Sequence, residues 1–99
     1  MGTVATAMIP EVALSVACLT TISPYLGGVY SVTLDEYGMR LQGRGDDVAH
    51  IIDDLGLIRT GRLDNTDDAG NRYESWEGWG PDEFGAVGIT LVAVYRDAP

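Results

Sequence analysis

The sequence predicts an α+β fold, a two-layer sandwich in which two helices pack on one face of an antiparallel sheet of about five strands. Two observations predict this class. Apolar residues recur at helical spacing in residues 46–55, and several other segments alternate apolar and polar residues with the period of strands. Short clusters of turn-forming residues separate these segments. The predicted order is therefore α-β-β-α-β-β-β, in a single domain that covers residues 1–99.

The first element is predicted to be a helix over Glu11–Ile22. Pro10 precedes it and is suited to the first turn of a helix. Pro24 and then Gly27-Gly28 follow it and are typical of a helix end. The segment contains many β-branched residues, so a buried strand is the alternative.

A β-hairpin is predicted next. Its strands are Val29–Asp35 and Met39–Arg44, and Glu36-Tyr37-Gly38 connects them. Both strands keep apolar residues at every second position, and the connection is short enough for a tight turn. These strands should therefore be antiparallel neighbours.

The second helix has the clearest pattern in the chain. Asp46 is predicted as its N-cap, and Asp47 adds negative charge to the first turn. Four apolar residues then follow at helical spacing, namely Val48, Ile51, Ile52 and Leu55. Gly56 is predicted to end the helix. This pattern indicates a short amphipathic helix that packs on a sheet.

Three further strands are predicted in the second half of the chain. Leu57–Leu63 and Arg72–Trp79 flank an exposed turn at Asp64–Asn71, and a loop at Gly80–Gly85 leads to the last strand, Val87–Arg96. Both faces of that last strand are largely apolar. Such a pattern is typical of a central strand, or of one that a partner covers on its second face.

The chain is strongly acidic, and its charge is unevenly distributed. It has 15 Asp and Glu, 6 Arg and no Lys, for a formal net charge of −9, yet residues 1–34 carry one charged side chain, Glu11. An anionic chain repels phosphate backbones and anionic lipids, so we expect neither direct nucleic-acid binding nor membrane association. The apolar start lacks both a basic segment and an unbroken apolar run of about 20 residues. These features favour a cytoplasmic protein.

No pattern of catalytic or metal-binding residues is present. The acidic turn fits no register of a calcium-binding EF-hand loop. His50, Asp53 and Asp54 share a helix face, where a local ion pair is more typical than a metal site. The single cysteine, Cys18, lies in an apolar segment, as small buried cysteines do, and no serine lies in a Gly-x-Ser-x-Gly motif. We therefore expect no enzymatic activity, no metal and no cofactor.

The most unusual segment is Tyr73–Phe84, which holds both tryptophans and the only phenylalanine between acidic residues. Aromatic residues at strand ends and in loops are typical anchors of protein interfaces. We therefore predict a partner-binding set of these aromatic residues and the acids of the second helix: Tyr73, Trp76, Trp79, Phe84, Asp46, Asp47, Asp53 and Asp54. In the alternative interpretation, Trp76 fills the core and Trp79 covers an edge of it.

Together these features favour a non-enzymatic protein-binding module. A homodimer through the first helix or through the second face of the last strand is one form that this function could take. The compact, lysine-free chain is similar in style to accessory proteins of phages and mobile elements.

The alternative function is that of an acidic decoy, which imitates nucleic acid and inhibits a host enzyme. A small acidic α+β sandwich resembles the phage inhibitors of uracil-DNA glycosylase in architecture. This function would require the acids of the second helix and of the Asp64–Asp68 turn to form one face that is free of arginine.

Overall fold

The computed structural model describes residues 10–35 and 38–96 of the chain. It contains two helices and six strands: α1 (Pro10–Ile22), β1 (Val29–Asp35), β2 (Gly38–Arg44), α2 (Gly45–Leu55), β3 (Ile58–Arg59), β4 (Asn65–Thr66), β5 (Asn71–Trp79) and β6 (Gly88–Arg96). Short 3₁₀ turns follow α1 at Ser23–Tyr25 and precede β6 at Asp82–Phe84. The predicted α+β class is confirmed. Glu36 and Tyr37, in the predicted hairpin connection, lie outside the described residues.

The strands form one mixed sheet with the order β1-β2-β6-β5-β3, and β4 also pairs with β5. β2 and β6 are parallel neighbours, whereas the other strand pairs are antiparallel. The expectation of a wholly antiparallel sheet is therefore corrected. The chain between β2 and β6 contains α2 and the β3–β5 segment, which is long enough for the crossover that parallel strands need. Apolar alternation does not indicate strand direction, so the sequence pattern could not show this pair.

Both helices pack on the same face of the sheet, as predicted. The buried core is one cluster to which both helices and the central strands contribute, and its main members are Cys18, Ile22, Met39, Leu41, Val48, Ile51, Ile89, Leu91 and Ala93. Val92 has the opposite parity on β6 and is also buried, on the second face. β6 therefore has the central position that its two apolar faces predicted.

The start of α2 differs from the prediction. Arg44 is the N-cap in an extended conformation, without a side-chain capping bond, and Asp46 already lies in the first turn. A Cβ on Gly45 would lie 2.1 Å from the Tyr95 ring, so the chain enters the helix at a residue without a side chain. The predicted end is confirmed, because Gly56 adopts the left-handed conformation with φ 64° and donates its N–H to the carbonyl of Asp53.

The strand predicted over Leu57–Leu63 is much shorter than expected. Ile58–Arg59 pairs with β5, residues 60–64 leave the regular ladder but stay bonded to Ser75, and pairing resumes at Asn65–Thr66 within the predicted turn. The carboxylate of Asp64 replaces part of the backbone ladder, since its Oδ1 accepts the Ser75 N–H at 2.6 Å. No described helix is long and apolar enough to cross a membrane.

Candidate protein-binding site

The two tryptophans of β5 point in different directions. Trp76 pairs with Leu91 across the sheet and packs against the core, while the Arg59 guanidinium lies 5.9 Å from its ring centroid. Trp79 has the opposite parity and pairs with Gly88, which offers no side chain to cover it. The indole of Trp79 is therefore 69% exposed. One tryptophan supports the core, and the other is a surface group.

Trp79 lies within an exposed apolar surface that we call the Trp79 patch, defined as Tyr25, Leu55, Ile58 and Trp79. Ile58 is 71% exposed and Tyr25 is half exposed. Four separate elements contribute these residues: the turn after α1, the end of α2, β3 and the end of β5. Apolar side chains this exposed, when they are grouped, are typical of interaction surfaces.

Two shallow grooves border Trp79. The first, of about 490 Å³, runs past Leu55, Ile58 and Glu77. The second, of about 510 Å³, runs past Tyr25, Leu55, Pro81, Asp54 and Asp82. Carboxylates therefore lie beside the apolar side chains in both grooves. This combination would suit a ligand that carries both apolar and positively charged groups.

Tyr73 and Phe84 do not join this surface. The Tyr73 hydroxyl donates to Asp67 Oδ2 at 2.7 Å, on the side of β5 opposite the core. Phe84 packs against the core from the 3₁₀ turn. Both aromatic groups therefore support the fold at positions where the sequence predicted partner contacts.

The four predicted acids of α2 lie at its two ends. Asp46 and Asp47 are exposed in the first turn, where their charge is favourable beside the helix dipole. Asp53 and Asp54 are exposed in the last turn. Of the four, Asp54 borders the same groove as Trp79.

Asp54 also bonds to His50, as the helix spacing predicted. The two side chains meet at 3.0 Å through Nδ1 and Oδ2, and His50 Nε2 lies 2.8 Å from the Gly27 carbonyl. The carboxylate and the carbonyl both favour the protonated ring, so they raise the pKa of His50. An imidazolium held in this way connects α2 to the loop before β1, and both of its ring nitrogens are already engaged.

Two carboxylates of the acidic turn, Asp64 and Asp67, are engaged within the chain. Asp67 accepts four bonds, from the backbone N–H groups of Ala69 and Asn71, from the Asn71 amide and from the Tyr73 hydroxyl. The Tyr73 bond, followed by those of Asn71, lowers the pKa of Asp67 to about 2. Among the described residues, no group of three His, Cys, Asp or Glu side chains could hold a metal ion.

Arginines neutralise several acids along β5. Arg59 bonds to Asp64 and lowers the pKa of that carboxyl, together with the Ser75 N–H and hydroxyl. Two further ion pairs join Arg62 to Glu77 and Arg72 to Glu74. These pairs place positive charge beside the acidic turn, which weakens the case for a continuous anionic face.

The free thiol of Cys18 is fully buried. Burial raises its pKa, and the charge of Glu83 raises it further. A thiol in this setting stays protonated at neutral pH and packs as a small apolar group, as the sequence indicated.

Sequence reasoning missed three members of the Trp79 patch. Ile58 stood in a predicted strand, Leu55 in the core-facing pattern of a helix, and Tyr25 in a turn. Each is distant from Trp79 in sequence. The pairing of β3 with β5 brings Ile58 close to Trp79, and the positions of the two helix ends bring Tyr25 and Leu55 close to it. Tyr25 stands between Pro24 and Gly27-Gly28 in the sequence. Turns lie at the protein surface, so this position was the local signal of an exposed aromatic side chain.

Comparisons with protein-family models, with curated proteins and with solved structures found no match to this chain. A functional interpretation therefore depends on the chain's own residues.

Proposed function

We propose that this chain is a non-enzymatic protein-binding module that holds an apolar, basic segment of a protein partner on the Trp79 patch. The observation that carries this proposal is the position of Trp79, which is 69% exposed and borders two grooves. Burying an indole of this size removes a large apolar surface from water, and the part of that gain that exceeds the ordering costs of association appears as affinity. Tryptophan is also among the most frequent residues at binding hot spots.

The acids beside the patch indicate the chemistry of the partner. Asp54 and Asp82 border one groove, and Glu77 borders the other. Glu77 is paired with Arg62 and Asp54 with His50. Asp82 and the net charge of −9 are therefore what attract a cationic segment and repel an acidic one. An apolar side chain beside Trp79, flanked by Lys or Arg, satisfies both parts of the surface.

A displayed library of random peptides tests this proposal. We expect selection on the wild-type chain to enrich peptides with an aromatic or aliphatic anchor and flanking Lys or Arg. Trp79→Ala should weaken the best synthetic peptide by at least about 30-fold, equivalent to about 2 kcal/mol. The matched control is Leu63→Ala, which removes another exposed apolar side chain outside the patch. This control should bind like the wild type.

Other outcomes would contradict the proposal. Peptides that bind Trp79→Ala as tightly as the wild type would place recognition elsewhere. Purely basic peptides, bound without any effect of Trp79 and released by about 0.5 M salt, would favour the acidic-decoy hypothesis.

A further inference from the structure

β1 forms one edge of the sheet, and no other described strand pairs with its outer side. The strand is seven residues long and has the sequence VYSVTLD. A β-bulge interrupts its pairing with β2 between Val29 and Ser31, but the strand lacks the Lys, Arg and Pro residues that commonly protect sheet edges, and β-branched and aromatic residues make up most of it. The Asp35 carbonyl accepts a hydrogen bond from the Ser15 hydroxyl, so the part of the edge that can serve as a template for another strand is residues 31–34.

Apolar side chains accompany this open edge. Val32 pairs with the core residue Leu41, so it points to the helix-covered side of the sheet, yet it is 41% exposed. Tyr30 is 59% exposed on the same strand. α1 packs against β1 and β2, and its Leu14 is 45% exposed. The edge strand and the neighbouring helix therefore both leave apolar surface uncovered.

The distribution of charge indicates which partner fits this edge. Residues 12–34, which include most of α1 and all of β1 except Asp35, contain no charged side chain, although the whole chain carries −9. Two copies of this chain repel each other through most of their surfaces. They repel least where these uncharged segments meet. A cationic partner could form no ion pair with a side chain of this segment, because the segment contains no carboxylate.

We propose that a second copy of this chain occupies the edge, so that β1 pairs antiparallel with β1 of the partner subunit across a two-fold axis. Such pairing is self-complementary and closes into a dimer, because the same strand serves both copies. It joins the two sheets into one and places both α1 helices side by side on the same face. The second face of β6, the other dimer surface that the sequence suggested, is less suitable because Val92 is already buried there.

The size of this surface sets the expected affinity. α1 has 13 residues and β1 has seven, so each element is roughly 20 Å long. One strand pair and one helix contact of this length lie at the low end of specific interfaces. We therefore expect a dissociation constant in the micromolar range. The proposal is independent of the Trp79 patch, because β1 and β3 lie at opposite edges of the sheet.

Sedimentation equilibrium of the full chain between about 1 and about 300 µM tests the dimer. We expect the mass to rise from 10.6 kDa toward twice that value. Higher salt should strengthen association several-fold, because it screens the repulsion between the two acidic copies. Hydrogen exchange at high concentration should show added protection in residues 29–35.

Two matched variants locate the interface. Val32→Glu places like charges at the proposed contact and should weaken dimerisation at least about tenfold, while Ile58→Glu makes the same kind of change on the exposed strand β3 and should not. Circular dichroism checks that both variants fold. A monomer at every concentration, a dimer insensitive to Val32→Glu, or one that Ile58→Glu disrupts would each overturn the proposal.

Discussion

At the scale of single residues, Asp67 shows how an acidic loop can be structural. Its two carboxylate oxygens accept bonds at 2.7–3.1 Å from four donors within six residues of the chain. A calcium ion would have to compete with these donors for the same oxygens. The turn therefore holds its shape with its own hydrogen bonds.

Asp67→Asn tests this role. The amide of the variant keeps one acceptor oxygen but presents N–H₂ to the N–H₂ group of Asn71, which is also a donor, and it loses the negative charge that strengthens the bond from the Tyr73 hydroxyl. We expect the melting temperature at pH 7 to fall by a few degrees. Thermal unfolding measures this change, and Asp68→Asn in the same exposed turn is the control. Equal melting temperatures for the two variants would contradict the structural role.

At the scale of elements, the contact between β2 and α2 depends on a missing side chain. A Cβ on Gly43 would lie 2.4 Å from Val48 Cγ1 and 2.8 Å from the carbonyl oxygen of Gly28. One neighbour is a β-branched side chain in the core, and the other is backbone, so neither moves easily. At Gly43 the strand, the helix and the loop before β1 approach one another closely.

Gly43→Ala should therefore destabilise the fold by about 1–3 kcal/mol, which is typical of overpacking. Urea unfolding at constant pH measures this change. Gly27→Ala is the matched control, because the nearest atom to its added Cβ is the His50 ring at 4.0 Å. An equal loss of stability in both variants would contradict the close approach as the cause, because the entropy of the unfolded chain favours alanine over glycine.

The sequence predicted the elements that depend on local patterns better than those that depend on long-range contacts. α2 and its Gly56 end were predicted because helical spacing and capping are local properties. The alternation of side chains along β5 places Trp76 on the face opposite Tyr73 and Ser75, which is also a local property. By contrast, the parallel β2–β6 pair and the shortened strand at Ile58–Arg59 depend on contacts between distant segments, which a local pattern does not contain.

At the scale of the whole molecule, two groups with shifted pKa values, Asp67 and His50, make stability depend on pH in opposite directions. The pKa of Asp67 is lowered to about 2 from 3.8, so its contribution is present above about pH 4 and is lost as the pH falls toward 2. The pKa of His50 is raised above 6.5, so its contribution is present below about pH 6.5. That contribution is lost as the pH rises through the folded pKa. These two groups together favour stability between about pH 4 and 6.5.

His50→Gln tests whether His50 causes the loss of stability at higher pH. Between about pH 5.5 and 8.5 the melting temperature of the wild type should fall, whereas that of the variant should change little because no imidazolium forms. Differential scanning calorimetry measures both profiles. Asp53→Asn changes a neighbouring acid that does not bond to His50, and it should keep the wild-type profile. A variant profile as steep as that of the wild type would assign the pH dependence to another group.

The sequence by itself determined the α+β class, the apolar faces of α2 and β6, the acidic character and the uncharged first third of the chain. These properties follow from composition and from spacing within single elements. Only the tertiary structure decided which tryptophan is exposed, which residues surround it and which strand forms the open edge. Exposure and strand neighbours depend on where distant segments meet, and local periodicity carries no information about those meetings. The roles of the acidic residues were also decided by the tertiary structure. Asp64 and Asp67 are hydrogen-bonded within the fold, whereas Asp82 lies beside Trp79 at the surface.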